Sequence, residues 1–205
     1  GLAHRNELEN GIPDEAFKTL PGDDKDIAQN LLKKNKKERK EREDKLKVQQ
    51  LKVAFEKVSE NTVQEAMAEY KVFNQLPETT PDEIEKKAIA YKKFLDGKGY
   101  TFLKVMADTQ VAQFFIPKTF NNEKKLVTDA QFRLILSGKE GWQSQQTAFA
   151  KAVAQEQHFF HWFLEFPEVF VDGGFDCILG NPPFLGDRRL KEAYGDEFLE
   201  WIRFN

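Results

Sequence analysis

Phe175-Asp176-Cys177-Ile178-Leu179-Gly180-Asn181-Pro182-Pro183-Phe184 is the stretch that organises this chain of 205 residues. Its apolar run, Cys177 to Leu179, has turn-forming residues on both sides and no polar alternation. That pattern predicts a short buried strand. The strand must stop at Gly180, because Pro182 and Pro183 have no N–H for a ladder and Pro182 drives Asn181 into an extended conformation. A buried strand would thus deliver one amide side chain, two rigid residues and one aromatic ring to its carboxyl end. In open α/β sheets that end is where ligands bind.

Upstream lies His158-Phe159-Phe160-His161-Trp162-Phe163-Leu164-Glu165-Phe166-Pro167-Glu168-Val169-Phe170. It is too aromatic for a polar surface loop, and Pro167 and the absence of a clean period predict an irregular packed segment. Gly173-Gly174 reads as the turn into the strand. His158 and His161 have metal-pair spacing, but no third ligand stands at a persuasive distance, so they read as packing or hydrogen-bonding residues. One or two short strands are expected near 169–180. Few partner strands are in sight for them, so the edge should be disordered, pair with another copy, or be covered by the aromatic segment. Downstream, Leu185-Gly186-Asp187-Arg188-Arg189 is a basic loop. A last helix follows with Phe198, Trp201 and Ile202.

Most of the remaining chain reads as helix. Residues 1–24 are an irregular lead-in with turn signals at Gly11-Ile12-Pro13-Asp14 and Leu20-Pro21-Gly22, from which Ile12, Phe17 and Leu20 can tuck against the first helix. A long helix is expected over 25–58, capped by Asp23 or Asp24. Its middle, Lys33 to Lys47, is almost entirely charged, which reads either as a solvated arm or antiparallel hairpin, or as a phosphate-backbone contact. A second helix over 60–76 carries Val63, Met67, Tyr70 and Phe73 or Leu76 on one face. Thr80-Pro81-Asp82-Glu83 announces a third with a capping box. Ile84, Ala88, Tyr91 and Leu95 form its apolar stripe, and Gly97 and Gly99 end it. A more hydrophobic helix from Tyr100 must end near Pro117. A polar connection over Lys118–Lys125, a short helix capped by Thr128 and closed by Gly138, and a helix over 142–158 complete the run. The apolar stripes predict a helical hairpin or small bundle.

Composition narrows the class. The net charge of −3 leaves no global basic footprint for nucleic acid. The single cysteine, Cys177, excludes an internal disulfide and reads as a small core residue. No secretory signal or long apolar run is present, so the expected compartment is the cytoplasm and no membrane partner is expected. The chain starts at Gly1 and stops at Asn205 beside a candidate helix, which leads us to expect a piece of a longer polypeptide.

The chemistry of the box can be stated without a name. The Asn181 side-chain oxygen and the Pro182 carbonyl can converge on one amino group as two acceptors. Phe184 offers a flat face beside them. The set suits a planar heterocycle with an exocyclic amino group, adenine above all. Two acceptors on one amino group favour the charge-developing nitrogen of a nucleophilic attack. The plainer alternative is that Asn-Pro-Pro forms a rigid turn.

Asn181-Pro182-Pro183-Phe184 resembles the signature of the amino-type DNA methyltransferases that modify adenine at N6, (Asp/Asn)-Pro-Pro-(Tyr/Phe/Trp). The flanks Phe160-His161-Trp162, Glu165-Phe166-Pro167-Glu168-Val169-Phe170, Gly173-Gly174-Phe175-Asp176 and Leu185-Gly186 look like those of large bacterial restriction-modification methylases. These are the single-chain Type IIG kind and related phage-defence methylases. Gly11 to Phe17 and Gly22-Asp23-Asp24-Lys25 look like the helical segment that precedes the box in such enzymes. The resemblance implies a mainly α chain with a short α/β portion, a fragment of a Rossmann-like class I methyltransferase. Residues 25–157 would be a helical insertion or spacer, and residues 158–205 part of the catalytic domain.

The resemblance also implies S-adenosylmethionine as methyl donor and a target adenine flipped out of double-stranded DNA. Asn181, Pro182, Pro183 and Phe184 would grip the base, and Arg188 and Arg189 would lie near phosphates. The family's cofactor loop, a Gly-rich turn after a strand, is absent here. Gly97-Lys98-Gly99 lies between helices, and Gly173-Gly174 precedes a strand instead of following one. The cofactor-binding and target-recognition parts are therefore expected in the remainder of the same polypeptide, and this piece alone is expected to be inactive. The competing reading is a non-catalytic helical interaction or spacer module.

Overall fold

A computed structural model describes residues 6–47, 66, 68–171 and 173–180. Among them the chain is mainly helical and contains no strand. The long helices are α2 (Lys25–Lys47), α4 (Pro81–Leu95), α5 (Lys98–Phe115) and α7 (Gln145–Glu156). Shorter ones are α1 (Asn6–Glu9), α3 over residues 68–74, α6 (Asp129–Leu136), α8 (Trp162–Glu165) and α9 (Pro167–Val171). The expected continuation of α2 to 58, the start of α3 with Val63 and Met67, and the last helix all lie outside the described residues.

Helix α5 is the axis of the molecule. Its apolar residues Phe102, Leu103, Val105, Met106, Ala107 and Ala112 are buried on more than one side, and α7 packs along it most extensively. A helix buried over most of its surface must satisfy its buried polar residues internally. Thr109 Oγ1 donates to the Val105 carbonyl at 2.7 Å, and Gln113 Nε2 donates to the Thr109 carbonyl at 2.8 Å. The Gln113 Oε1 atom accepts from Val127 N–H at 2.9 Å, which ties the strand-like entry of α6 to α5. As the sequence requires, α5 ends at Phe115, just before Pro117.

Caps set the other helices. Thr80 Oγ1 accepts from Glu83 N–H and the Glu83 carboxylate accepts from Thr80 N–H, the expected capping box. These bonds hold the Glu83 carboxyl below its usual range. Asp24 Oδ1 accepts from the N–H groups of Asp26 and Ile27 at the start of α2. Helix α7 starts later than expected, with Ser144 and Thr147 forming its own reciprocal cap. Helices α3 and α4 run antiparallel, as ring contacts between Tyr70 and Phe94 (5.5 Å) and between Phe73 and Tyr91 (5.1 Å) show. The inward face of α4 is Tyr91, Phe94 and Leu95. Ile84 and Ala88, expected on that face, are exposed, because only the C-terminal half of α4 reaches the body of the molecule. Gly97 caps α5, and Gly99 lies inside α5 instead of ending α4.

The lead-in is better ordered than its sequence suggests. Leu8, Ile12, Ala16 and Phe17 are buried, and Asp14–Phe17 form a 3-10 turn against α2 and α5. Side chains from distant helices pair the backbone carbonyls of this loop. Gln110 Nε2 donates to Glu7 and Gly11, and Asn35 Nδ2 donates to Ile12 at 3.0 Å. Such contacts have no signature in local sequence.

Helix α2 corrects the expectation of a helix that is polar and solvated all round. Ala28, Leu31, Asn35, Glu38, Arg39 and Arg42 form one inward face at 3-4 spacing. Asn35 is fully buried. Its Oδ1 accepts from Asp129 N–H at 2.9 Å, and Glu38 accepts from Ala130 N–H at 2.9 Å, so α2 caps the amino end of α6 with side chains. Thr128, the expected cap residue, stands at the N-cap position with no side-chain hydrogen bond. The polar connection after α5 is also partly buried. Lys118 is only 1% exposed. Its N–H donates to Asp23 Oδ1 at 2.8 Å and its carbonyl accepts from Asp24 N–H at 2.9 Å. Burial lowers its ammonium pKa, against the pull of Asp23.

Candidate functional site

The aromatic segment that leads to the Asn-Pro-Pro-Phe box is built from α8, α9 and the turn after them. It contains more helix than its sequence suggests. Pro167, which cannot continue α8, opens α9 as its first residue. Gly173 and Gly174 adopt φ of +108° and +120°, a conformation L side chains rarely take, and Gly174 N–H donates to the Val169 carbonyl at 2.9 Å. This turn folds Phe175 back onto the helices. Its ring lies 5.7 Å from Trp162, 5.5 Å from Phe166 and 5.7 Å from Phe170 by centroid distance, each edge to face. Phe160 joins the cluster through Trp162 at 5.1 Å.

Polar contacts fasten this segment to the helical body. His161 is 2% exposed, and its Nε2 lies 3.0 Å from Asp108 Oδ1. Asp108 is equally buried and accepts from Lys104 Nζ at 2.9 Å and 3.1 Å. The Tyr100 hydroxyl donates to Glu165 Oε1 at 3.4 Å. Burial, with Glu165 beside it, raises the Tyr100 pKa, and burial with Glu168 does the same for Tyr70. His161 thus has the hydrogen-bonding role its sequence setting suggests. His158 is exposed with φ of +52° at the end of α7. Among the described residues no group of three His, Cys, Asp or Glu is placed to hold a metal.

Beyond Phe175 the expected strand is not formed. Residues 177–180 have no regular structure. Cys177 is exposed, Ile178 is 70% exposed and Leu179 is 95% exposed. The same holds for the short strands expected near 169–180, since residues 167–171 are helical. The physical reason is the ladder: a strand needs a neighbour for its N–H and C=O groups, and no strand exists among the described residues to supply one. The aromatic cluster stops at Phe175 and does not cover Ile178 or Leu179. Asn181, Pro182, Pro183, Phe184, Arg188 and Arg189 lie outside the described residues.

Sequence reading missed the buried polar residues that position this segment. Lys104 and Asp108 stand at (i, i+4) in a helix whose one other charged residue is Lys98, and a charged pair in such a helix was the available signal. Asp129 gave less warning. It opens α6 at 1% exposure with Arg133 Nε at 3.1 Å and Arg42 Nε at 3.5 Å, an ion-pair distance without hydrogen-bond geometry for Arg42.

No helix among the described residues is long and apolar enough to cross a membrane. Comparison with known proteins gives one finding of identity. The family model of the Eco57I restriction-modification methylases matches residues 16–202, a span that takes in the helical body, the aromatic segment and the Asn-Pro-Pro-Phe box. No curated protein and no solved structure matches the chain. With nearly its whole length covered by that one model, the chain belongs to the Eco57I family of restriction-modification methylases.

Proposed function

We propose that this chain carries the base-gripping part of an enzyme that methylates adenine at N6 in double-stranded DNA, within a restriction-modification system. The observation that carries the reading is the sequence Asn181-Pro182-Pro183-Phe184, six to nine residues after the fixed Phe175 and inside the span matched by the family. On this reading residues 158–205 belong to a Rossmann-like catalytic domain, and the remainder of its sheet supplies the ladder that residues 177–179 lack here.

The roles follow from the groups. Adenine N6 is out of reach in the base stack, so the target base must be flipped out. The Asn181 side-chain oxygen and the Pro182 carbonyl accept hydrogen bonds from its two amino hydrogens. That pair favours a tetrahedral nitrogen with its lone pair available, a charge distribution nearer the transition state than the planar ground state. Pro183 has no N–H, which keeps the segment out of a ladder, and Phe184 stacks on the base. Arg188 and Arg189 contact nearby phosphates.

S-adenosylmethionine is the methyl donor that this family implies, but the described residues do not fit it. A nucleotide-type donor needs a strand, a glycine turn and a helix amino end in sequence. Here no strand is described, and a Cβ at Gly97 would stand 2.5 Å from the Glu69 carboxylate, an anionic neighbour. We therefore assign donor binding to none of the described residues.

The test is Asn181→Ala in the active enzyme that carries this sequence. Transfer of labelled methyl to duplex DNA should fall by a factor on the order of a hundred or more, with the thermal melt unchanged. Normal transfer would exclude the role given to Asn181 and leave the box as a rigid turn in a helical interaction module.

A further inference from the structure

Helix α2 is amphipathic in charge. Over residues 33–40 its only carboxylate, Glu38, sits on the inward face and is bonded to Ala130 N–H. Arg39 and Arg42 are turned the same way, Arg39 toward Asp14 and Arg42 toward Asp129. What remains outward is Lys33, Lys34, Lys36, Lys37 and Lys40, all exposed. Lys34 and Lys37 have only distant pairs at 3.9 Å, with Glu38 and Glu41. Lys33, Lys36 and Lys40 pair with no carboxylate among the described residues. Like charges at this spacing repel one another along the helix. A sequence free to choose would intersperse acids here, as α2 itself does at Glu41, Glu43 and Asp44.

We propose that the outward face of α2 at Lys33, Lys36, Lys37 and Lys40 is a contact surface for the phosphate backbone of duplex DNA. Charge density supports this occupant. The seven-residue step from Lys33 to Lys40 covers about 10 Å of helix axis, and a DNA duplex carries about six phosphates over that distance. The helix is anchored through Asn35, Glu38 and Arg42, so the lysines are presented from one side of the body. Net charge for the whole chain is −3, so the row is a local feature and not a share of general basicity. Backbone contacts of this kind hold register and carry no sequence information. The choice of DNA over another polyanion rests on the proposed function.

The test measures binding of a labelled duplex of arbitrary sequence to the full chain between about 50 and about 200 mM salt. The variant Lys33→Gln/Lys36→Gln/Lys40→Gln changes three exposed residues and should keep the wild-type melting curve. Its log affinity against log salt should lose about 2.7 of slope, near 0.9 for each released phosphate contact, with at least about tenfold weaker binding at the low-salt end. A control with the same charge change on α4, Lys86→Gln/Lys92→Gln/Lys93→Gln, should keep slope and affinity.

An unchanged slope in the first variant, an equal loss in the control, or no duplex binding by the wild type would each overturn the proposal. So would tighter binding of polyglutamate than of the duplex at matched charge and salt, which would assign the row to an acidic protein. Asn181→Ala separates the two ideas. In the active enzyme that carries this sequence its transfer reports on the base grip, while the lysine variant reports on the salt slope, so either result can fail without the other.

Discussion

Gly11 shows what one residue can be asked to do. Its φ is +71°, and a Cβ there would stand 1.8 Å from Asp129 Oδ1 and 2.8 Å from Arg133 Nη2. Both conformation and space therefore require glycine. Gly11→Ala should lower stability by about 2–4 kcal/mol, read from the urea midpoint. A midpoint within about 0.5 kcal/mol of wild type would mean that Asp129 and Arg133 can move away at little cost.

Asp129 itself gives a pH signature. Burial pushes its carboxyl up to about 6, against the pull of Arg42 and Arg39. The folded state therefore binds this proton more tightly than the unfolded chain does. The contribution is fully favourable below the ordinary value of 3.8 and is lost as pH rises through about 6. Asp129→Asn has no such proton. Its stability relative to wild type should rise between acid and neutral pH by on the order of 3 kcal/mol, whatever its pH-independent offset. Parallel stability curves for the two proteins would show that the arginines hold the carboxyl ionised throughout.

At the scale of elements, α2 is decided by which residues face the body. Asn35 reaches Ile12, Asp14 and Asp129 with three hydrogen bonds of 2.8–3.0 Å. Asn35→Ala leaves the Ile12 carbonyl and the Asp129 N–H buried and unmet, which should cost about 2–3 kcal/mol in chemical denaturation. Lys36→Ala, one residue along and exposed, should change stability by no more than about 0.5 kcal/mol. Similar losses in both variants would contradict the two-faced description of the helix. The aromatic segment obeys the same logic. Its rings attract one another, but Asp108, Glu165 and Glu168 decide where it docks.

For the whole molecule, the unformed strand is the informative region. Leu179 is 95% exposed, so Leu179→Ser should leave the denaturation midpoint of this chain within about 0.5 kcal/mol of wild type. Truncating a buried strand leucine would instead cost several kcal/mol, about 2–5 in typical cores. A loss of that size would show that residues 177–179 are packed in solution.

Local pattern was enough for much of the helical body. The Thr80 and Glu83 cap, the stop of α5 before Pro117 and the glycine turn at 173–174 follow from residue types a few positions apart. These are short-range effects, and sequence by itself determined them. So did the family signature at 181–184, although its geometry lies outside the described residues. Only the tertiary structure decided which side of α2 is buried, that Lys118 and Asp129 are interior, and that Asp108 meets His161 across 53 residues. It also decided that residues 177–179 stay exposed. The reason is common to all of them. A charged helix or a short apolar run is compatible with burial or exposure, and the outcome depends on whether the rest of the fold brings a partner to its polar groups.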